Sequence, residues 1–242
     1  VKNAELERWQ RQGRPGELDV GGLHMTRLPP EEAEQLYAEE YLVCAAPVEK
    51  PAYGVTSIVI LTRNLLPYTR LCLDTLRART EEPCELVMVD NGSTDGTAEY
   101  LRRQPDVILV SNAENRGFPA GCNQGIRASS GEHVLLLNND VVVTTGWLGR
   151  MLRALSSDPK IGLVGPCSNR VSGTQQVPVS YAHLSSLDGF AWEWGKRHDG
   201  VIEPAERLVG FCLLFRRSLV EEIGLLDEQF GLGNYEDDDY CR

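Results

Sequence analysis

Hydrophobic positions from residue 55 onward alternate between two patterns along the chain. Short, continuous apolar runs are typical of strands buried on both faces of a sheet, and the stretches between them carry apolar residues at helical spacing. The runs predict strands at residues 55–61, 85–89, 107–110, 133–137 and 161–165, and the stretches predict helices at residues 67–79, 94–103, 119–129 and 146–157. This alternation predicts an α/β fold with a mainly parallel central sheet flanked by helices.

The pattern changes before and after this region. Residues 1–53 are rich in Glu, Arg, Pro and Gly, and a helix is predicted at residues 30–41. We interpret residues 1–53 as an N-terminal helical appendage or linker, and residues 54–242 as the α/β domain. Residues 167–207 carry many turn formers, after which the pattern predicts a strand at residues 207–215 and a helix at residues 216–223.

Polar side chains directly follow two of the predicted strands. Asn138, Asn139 and Asp140 come after one strand, and Asp90 opens the segment Asp90-Asn91-Gly92-Ser93-Thr94-Asp95-Gly96 after another. Ligands bind at the carboxyl ends of the strands in open α/β sheets. Carboxylate and amide oxygens at this edge therefore indicate a site for a polar ligand and a hard cation. Ser93 or Thr94 is predicted to cap the helix that follows.

Composition narrows the class of protein. The net charge of −11 argues against nucleic-acid polymers as partners, but it is compatible with a single nucleotide bound together with a metal ion. The seven cysteines are scattered without a Cys-x-x-Cys pair, which is typical of reduced thiols in a cytosolic protein, and Cys72, Cys122 and Cys212 are predicted to lie in the core. No apolar run approaches the roughly 20 residues that span a bilayer, so we expect no transmembrane segment in this piece. The first residue is Val, which indicates a processed or excised piece.

Five motifs in order carry a resemblance to a known family. The chain resembles the family 2 glycosyltransferases of the GT-A fold, the fold of nucleotide-diphospho-sugar transferases, and is similar to their rhamnosyltransferase-like branch. The motifs lie at residues 57–64, 89–95, 115–118, 137–140 and, late in the chain, 210–212 with 236–239. The resemblance runs from about residue 55 to the end of the chain.

The resemblance implies an enzyme of polysaccharide biosynthesis that transfers a hexose or deoxyhexose from a nucleotide-diphosphate donor to an acceptor hydroxyl, with inversion. It assigns Asp140, the last position of the family's Asp-x-Asp motif, as the ligand of a divalent cation, Mn²⁺ or Mg²⁺. Asn138 occupies the first position of that motif, where an amide can bind a ribose hydroxyl but adds no charge. Asp237 is assigned as the catalytic base, and Glu236 as a contact to the acceptor or to the loop.

The resemblance also implies a nucleotide site. Asp90 is expected to contact the base, Arg116 to reach a phosphate or the base, and the remaining residues to lie beside the nucleotide or to shape its turns. These residues are Thr62, Asn64, Asn91, Ser93, Gly117 and Asn123. UDP- or dTDP-sugars are the favoured donors, and a saccharide, a lipid-linked saccharide or a protein is the expected acceptor. The expected location is cytoplasmic, including the inner face of the membrane.

Several alternatives stay open at this point. Family members sometimes have a further His after the Glu-Asp pair, whereas this chain ends at Arg242, so we expect the domain to be truncated at its C-terminus. A sugar-nucleotide binding module without catalysis is therefore an alternative. A nucleotide-dependent dehydrogenase is disfavoured, because no Gly-x-Gly-x-x-Gly follows the first strand. Tyr181, Trp192 and Trp194 are expected either to stack on an acceptor sugar or to pack within residues 167–207.

Overall fold

The computed structural model describes residues 16–20, 23–27 and 53–242. The chain divides into two units, Val1–Ala52 and Tyr53–Arg242. In the first unit, strand β1 (Gly16–Val20) pairs antiparallel with strand β2 (Leu23–Arg27). The sequence did not predict these two strands, which lie in a segment interpreted as a helical appendage or linker. The helix predicted at residues 30–41 lies outside the described residues, and the interpretation of residues 1–53 as an appendage or linker stays a prediction.

The second unit is built on a six-stranded sheet. The strands are β3 (Thr56–Thr62), β4 (Cys84–Asn91), β5 (Val107–Asn112), β6 (His133–Asn138), β7 (Leu163–Val164) and β8 (Cys212–Arg216). Their order in the sheet is β5-β4-β3-β6-β8-β7. Strands β3, β4, β5 and β6 run parallel to one another, whereas β8 is antiparallel to both β6 and β7. The sheet is thus mixed but mostly parallel, which confirms the predicted α/β class.

Helices cover both faces of this sheet. They are α1 (Leu66–Arg79), α2 (Thr97–Leu101), α3 (Phe118–Ala128), α4 (Trp147–Ser157), α5 (Leu187–Arg197), α6 (Arg217–Ile223) and α7 (Glu236–Tyr240). Alternate residues of β3 point to opposite faces. Ile58 and Ile60 belong to the core that includes apolar residues of α1 and α4, and Val59 belongs to the core that includes Ile126 of α3. Both cores are buried, and the predicted core residues Cys72, Cys122 and Cys212 lie in them.

The structure corrects two local predictions. Helix α2 begins after Gly96, whose φ is 92°, and neither Ser93 nor Thr94 caps it; instead the Asp95 carboxylate accepts a hydrogen bond of 3.1 Å from the Thr97 amide. The late strand begins at Cys212 rather than at residue 207, because the amides before it are bound to side chains, as the amide of Gly210 is to Asp237 (2.7 Å).

Among the residues that the structure describes, no helix has the length and apolar character to cross a membrane.

Candidate functional site

The loops after β3 and β4 are tied together at the carboxyl edge of the sheet. The Asn64 amide donates to the Ser93 hydroxyl (2.8 Å), and the Thr94 amide donates to the Asn64 side-chain oxygen (2.8 Å). The Leu66 amide, which opens α1, donates to the Asp95 carboxylate (3.0 Å). Asn64 has a φ of 60°, a left-handed conformation that Asn tolerates better than most residues. The loop after β3 and the loop after β4 therefore hold each other in place, and Asn64 and Ser93 take part in these contacts.

Asp90 and Thr62 lie opposite each other at the ends of β4 and β3. Both are buried, and Asp90 accepts a hydrogen bond of 3.2 Å from the Ser93 amide. The Thr62 hydroxyl bonds the Thr69 hydroxyl (2.9 Å), and the Asn139 amide donates to both hydroxyls (3.1 and 3.0 Å). The Thr62 hydroxyl therefore positions the segment after β6. The Asp90 carboxylate has one hydrogen bond and can still accept others from a ligand.

Asn91 organises the loop that carries Arg116. Its amide nitrogen donates to the Asn115 side-chain oxygen (2.8 Å) and to the Gly117 carbonyl (3.1 Å). Its oxygen accepts from the Arg116 amide (3.0 Å) and from the Asn112 side chain (3.1 Å). These four bonds use both donors and both acceptor positions of the side chain, so Asn91 acts on the loop rather than on a ligand. The Arg116 guanidinium is exposed and makes no hydrogen bond or ion pair with any other described residue.

Gly117 joins this loop to the C-terminal part of the chain. Its φ is 85°, and a side chain here would collide with the carbonyl of Gly231. The next amide, of Phe118, donates to the Leu232 carbonyl (3.2 Å). Only glycine permits both the left-handed backbone and this close approach, so Gly117 is a structural requirement of the site.

The end of β6 presents Asp140 to solvent. Asn138 is half-buried, and its amide donates to the Phe211 carbonyl (2.9 Å). Asp140 is exposed, and its carboxylate makes no hydrogen bond or ion pair within residues 53–242. Burial, with the charge of Asp140 adding to it, raises the pKa of the Cys72 thiol to about 12. The described residues contain no cluster of three or more His, Cys, Asp or Glu side chains suited to a metal. A cation here would thus be held by Asp140 with oxygens of the ligand and water, as is common for Mg²⁺.

Asp237 lies beside this strand end. Its carboxylate accepts hydrogen bonds from the Gly210 amide (2.7 Å) and from the Asp238 amide (2.9 Å). Gly210 is followed by Phe211, whose carbonyl binds the amide of Asn138 (2.9 Å). One short piece of backbone thus bonds to Asp237 on one side and to the end of β6 on the other, which brings together motifs that are far apart in the sequence.

The helix that carries the acidic pair is fixed to the core. Tyr240 at the end of α7 is buried, its ring centre is 5.5 Å from that of Phe215 in β8, and its hydroxyl donates to the Gly224 carbonyl (3.1 Å). Asp238 pairs with Arg207 (3.0 Å), which neutralises the acid next to Asp237. The sequence indicated the acidic run at residues 236–239 as a candidate site, but it did not indicate that Gly210 and Arg207 are its hydrogen-bond partners.

Glu236 faces the protein interior. Its side chain is buried, and one carboxylate oxygen has no hydrogen-bond partner. Burial raises its pKa, and the charges of Asp237 and Asp238 add to that effect, while hydrogen bonds from the amides of Glu236 and Asn234 oppose it. Of the two roles predicted for Glu236, these contacts favour the one in which it holds the loop.

The side chain of Asn123, which is predicted to lie near the nucleotide, makes hydrogen bonds inside the protein. It is buried, and its amide nitrogen donates to the Leu226 carbonyl (2.8 Å) and to the Glu228 carboxylate (3.0 Å). Its oxygen accepts from the Leu226 amide (3.0 Å). Asn123 therefore anchors the segment that leads to α7, and both of its donors are already used.

The aromatic residues of the 167–207 segment stack on one another. Tyr181 meets Phe190 edge-on (5.3 Å between ring centres), Phe190 stacks on Trp194 (6.0 Å), and Trp194 stacks on His198 (4.1 Å). The His198 ring also bonds the Trp194 carbonyl (2.8 Å). Of the two predicted roles, packing within the segment holds for Tyr181 and Trp194, whereas Trp192 is 49% exposed, with the Lys196 ammonium 5.1 Å from its ring centre.

Comparison with known proteins places this architecture among sugar transferases. The family model described as Glycosyl transferase family 2 matches residues 57–224. The chain is 30% identical over 203 residues to N-acetylglucosaminyl-diphospho-decaprenol L-rhamnosyltransferase of Mycobacterium tuberculosis, which covers 73% of this chain and 66% of the relative.

Two solved structures share the fold. The mannosyltransferase PcManGT from Pyrobaculum calidifontis, in complex with GDP-Man and Mn²⁺, superposes with a TM-score of 0.58 at 24% identity and covers 87% of this chain and 59% of that chain. TarS of S. aureus superposes with a TM-score of 0.55 at 19% identity and covers 77% of this chain and 53% of that chain. The chain thus spans about two thirds or less of the length of each of these proteins.

Proposed function

The chain belongs to glycosyl transferase family 2 and has the GT-A fold, and on that premise we propose that it transfers a sugar from a nucleotide-diphosphate donor to an acceptor hydroxyl. The observation that carries the proposal is the carboxyl edge of the sheet. There the 210–211 backbone bonds both to Asp237 and to the strand that leads to Asp140. Family membership removes the support for the dehydrogenase alternative.

Donor recognition is assigned to the strand ends of β3 and β4. Asp90 is buried with one hydrogen bond from the Ser93 amide, so its carboxylate can accept an N–H of the nucleotide base. A buried acid whose remaining acceptor positions are filled only by the correct base discriminates strongly between bases. Arg116 is exposed and unpaired among the described residues, which suits a contact to the diphosphate. Uridine and thymidine donors stay our preference, and the rhamnosyltransferase name of the mycobacterial relative supports a deoxyhexose.

The cation site is assigned to Asp140. The residues fit such an ion, because Asp140 is a free, exposed carboxylate at the edge where the donor would lie. A divalent cation, Mn²⁺ or Mg²⁺, when bound there would neutralise the charge that grows on the leaving diphosphate. Asn138 supplies an amide in place of a second acid, so we expect weaker metal binding than at a site with two carboxylates. The Mn²⁺ in the structure of PcManGT supports a divalent cation as the cofactor.

Asp237 is assigned as the base that takes the proton of the acceptor hydroxyl. Inverting transfer needs one positioned carboxylate on the face opposite the leaving group. The amides of Gly210 and Asp238 each bind one oxygen of Asp237, which fixes its orientation and leaves further lone pairs for the acceptor. Glu236 is buried, so it is assigned to hold the loop rather than to touch the acceptor.

The proposal is tested with a panel of UDP, dTDP, GDP, CDP and, as a negative control, NAD, each with and without Mn²⁺ or Mg²⁺. A nucleotide at 100 times its dissociation constant stabilises a protein by about 2.7 kcal/mol, which thermal unfolding detects. We expect a shift that requires both one nucleoside diphosphate and the metal. Asp140→Ala should lose the part of the thermal shift that depends on the metal. Asp237→Asn should keep the shift but lower transfer by roughly 10²- to 10⁴-fold.

Asp239→Asn is the matched control, because it removes the same charge from an exposed neighbour on α7. Full transfer by Asp237→Asn would show that the base is assigned wrongly. Donor binding without any transfer by the wild type would favour the alternative of a binding module without catalysis.

A further inference from the structure

The loop at residues 231–235, directly before the acidic pair, has an unusual backbone. Gly231, Gly233, Asn234 and Tyr235 have φ values of 65°, 130°, 88° and 73°. Positive φ is ordinary for glycine, but for a bulky residue such as Tyr it is a true outlier. Such strain is unfavourable, and it tends to persist at ligand sites.

This strained loop also exposes apolar side chains. Leu232 is 75% exposed and Tyr235 is 70% exposed, the highest values among the large apolar residues that the structure describes. Packing within the domain therefore does not explain the conformation of Tyr235, because its ring gains little burial from it. The strain presents the ring to solvent.

Contacts on both sides hold the loop in place. On the side of the proposed nucleotide-sugar site, the Leu232 carbonyl accepts a hydrogen bond from the Phe118 amide (3.2 Å), and Gly231 packs on Gly117. On the other side, the Tyr235 carbonyl accepts a hydrogen bond from the Asp239 amide of α7 (2.9 Å). The loop thus spans the gap between the Arg116 loop and the assigned base as a fixed element.

We propose that the 231–235 loop is the acceptor platform, on which the Tyr235 ring stacks against the apolar C–H face of an acceptor saccharide ring with Leu232 alongside it. The inference rests on the proposed function. Asp237 follows Tyr235 by two residues, so their Cα atoms are at most about 7 Å apart. A sugar ring whose hydroxyl reaches Asp237 therefore lies within reach of the Tyr235 side chain. Aromatic rings combine a large apolar face with a polar tip, which suits a pyranose.

The test measures binding and transfer separately. Saturation-transfer NMR with methyl glycosides of glucose, N-acetylglucosamine, galactose and mannose, in the presence of nucleoside diphosphate and Mn²⁺, reports saccharide binding without turnover. We expect Tyr235→Ala to weaken the binding of the preferred glycoside by roughly 3- to 10-fold, and Tyr235→Trp to retain it. The nucleotide-dependent thermal shift should be unchanged. Tyr235→Gly should weaken saccharide binding equally but should melt at or above the wild-type temperature, because it relieves the strain.

Ile108→Ala is the control, because Ile108 is an exposed apolar residue on β5, at the far edge of the sheet from β8. The proposal is overturned if Tyr235→Ala binds the glycoside within twofold of wild type, if the wild type binds no glycoside, or if Tyr235→Ala only changes the oligomeric state. Saccharide binding that depends on Tyr235 without any transfer by the wild type supports the platform and refutes the proposed catalysis. Sugar transfer that does not change when Tyr235 is substituted supports the proposed catalysis and refutes the platform.

Discussion

The substitution Asn123→Ala separates a structural role from a ligand-binding role at one residue. Sequence resemblance places Asn123 near the nucleotide, whereas the structure binds its side chain to Leu226 and Glu228. If the structural role is right, the substitution lowers the stability of the fold and leaves the affinity for the donor nucleotide nearly unchanged.

The magnitude follows from the bonds that are lost. Alanine removes three hydrogen bonds of 2.8, 3.0 and 3.0 Å and leaves the amide and carbonyl of Leu226 without their partner. Leu226 is itself buried, so each group pays a desolvation penalty of about 1–3 kcal/mol. We expect a loss of about 3 kcal/mol in the free energy of unfolding, which lowers the melting temperature by roughly 6–12 °C.

The assay combines denaturant unfolding with calorimetric titration of the donor nucleotide in saturating Mn²⁺. Gln124→Ala is the matched control on the same helix, because Gln124 exchanges two amide bonds with Asn112 at a half-buried position. That control should lose only about 1 kcal/mol. The structural role is refuted if Asn123→Ala keeps wild-type stability but binds the nucleotide tenfold more weakly.

Two further predictions follow from contacts of the same domain. Gly210→Ala would place a Cβ 3.1 Å from the Asp237 Cβ and so push the carboxylate from its position; we expect transfer to fall by about tenfold at unchanged nucleotide affinity, and an unchanged kcat would contradict the assigned base. Burial lowers the pKa of His133 below its ordinary 6.5, with Arg216 adding to this and Glu132 opposing it, so the unfolded chain binds the proton more readily. The free energy of unfolding should therefore fall as the pH drops below about 6.5, by at most about 1.4 kcal/mol per pH unit, and His133→Gln should remove this part of the dependence. Identical pH profiles for wild type and His133→Gln would show that His133 does not titrate as its burial requires.

The sequence alone was sufficient for the order of the elements from β3 to β7 and for the sheet edge that carries the candidate site. The apolar runs at β3, β4 and β6 predicted their strands to within about two residues, because a strand buried on both faces must be apolar along its length. Asp90 directly follows one such run, Asp140 is the third residue after another, and parallel strands end at the same edge. Their placement at the carboxyl edge was therefore predictable without any knowledge of distant contacts.

Only the tertiary structure decided which hydrogen bonds the asparagine side chains make and which residues the C-terminal segments contact. Asn91 and Asn123 have the same side chain as Asn138, but the first two use their donors inside the protein and the third makes no side-chain hydrogen bond among the described residues. The antiparallel pairing of β8 and the bond between Gly210 and Asp237 likewise join residues that are distant in sequence. Periodicity reports which face of an element is buried, and it carries no information about which distant polar group meets a given amide. That choice depends on how the chain packs, because a buried donor takes whatever acceptor the fold brings within 3 Å of it.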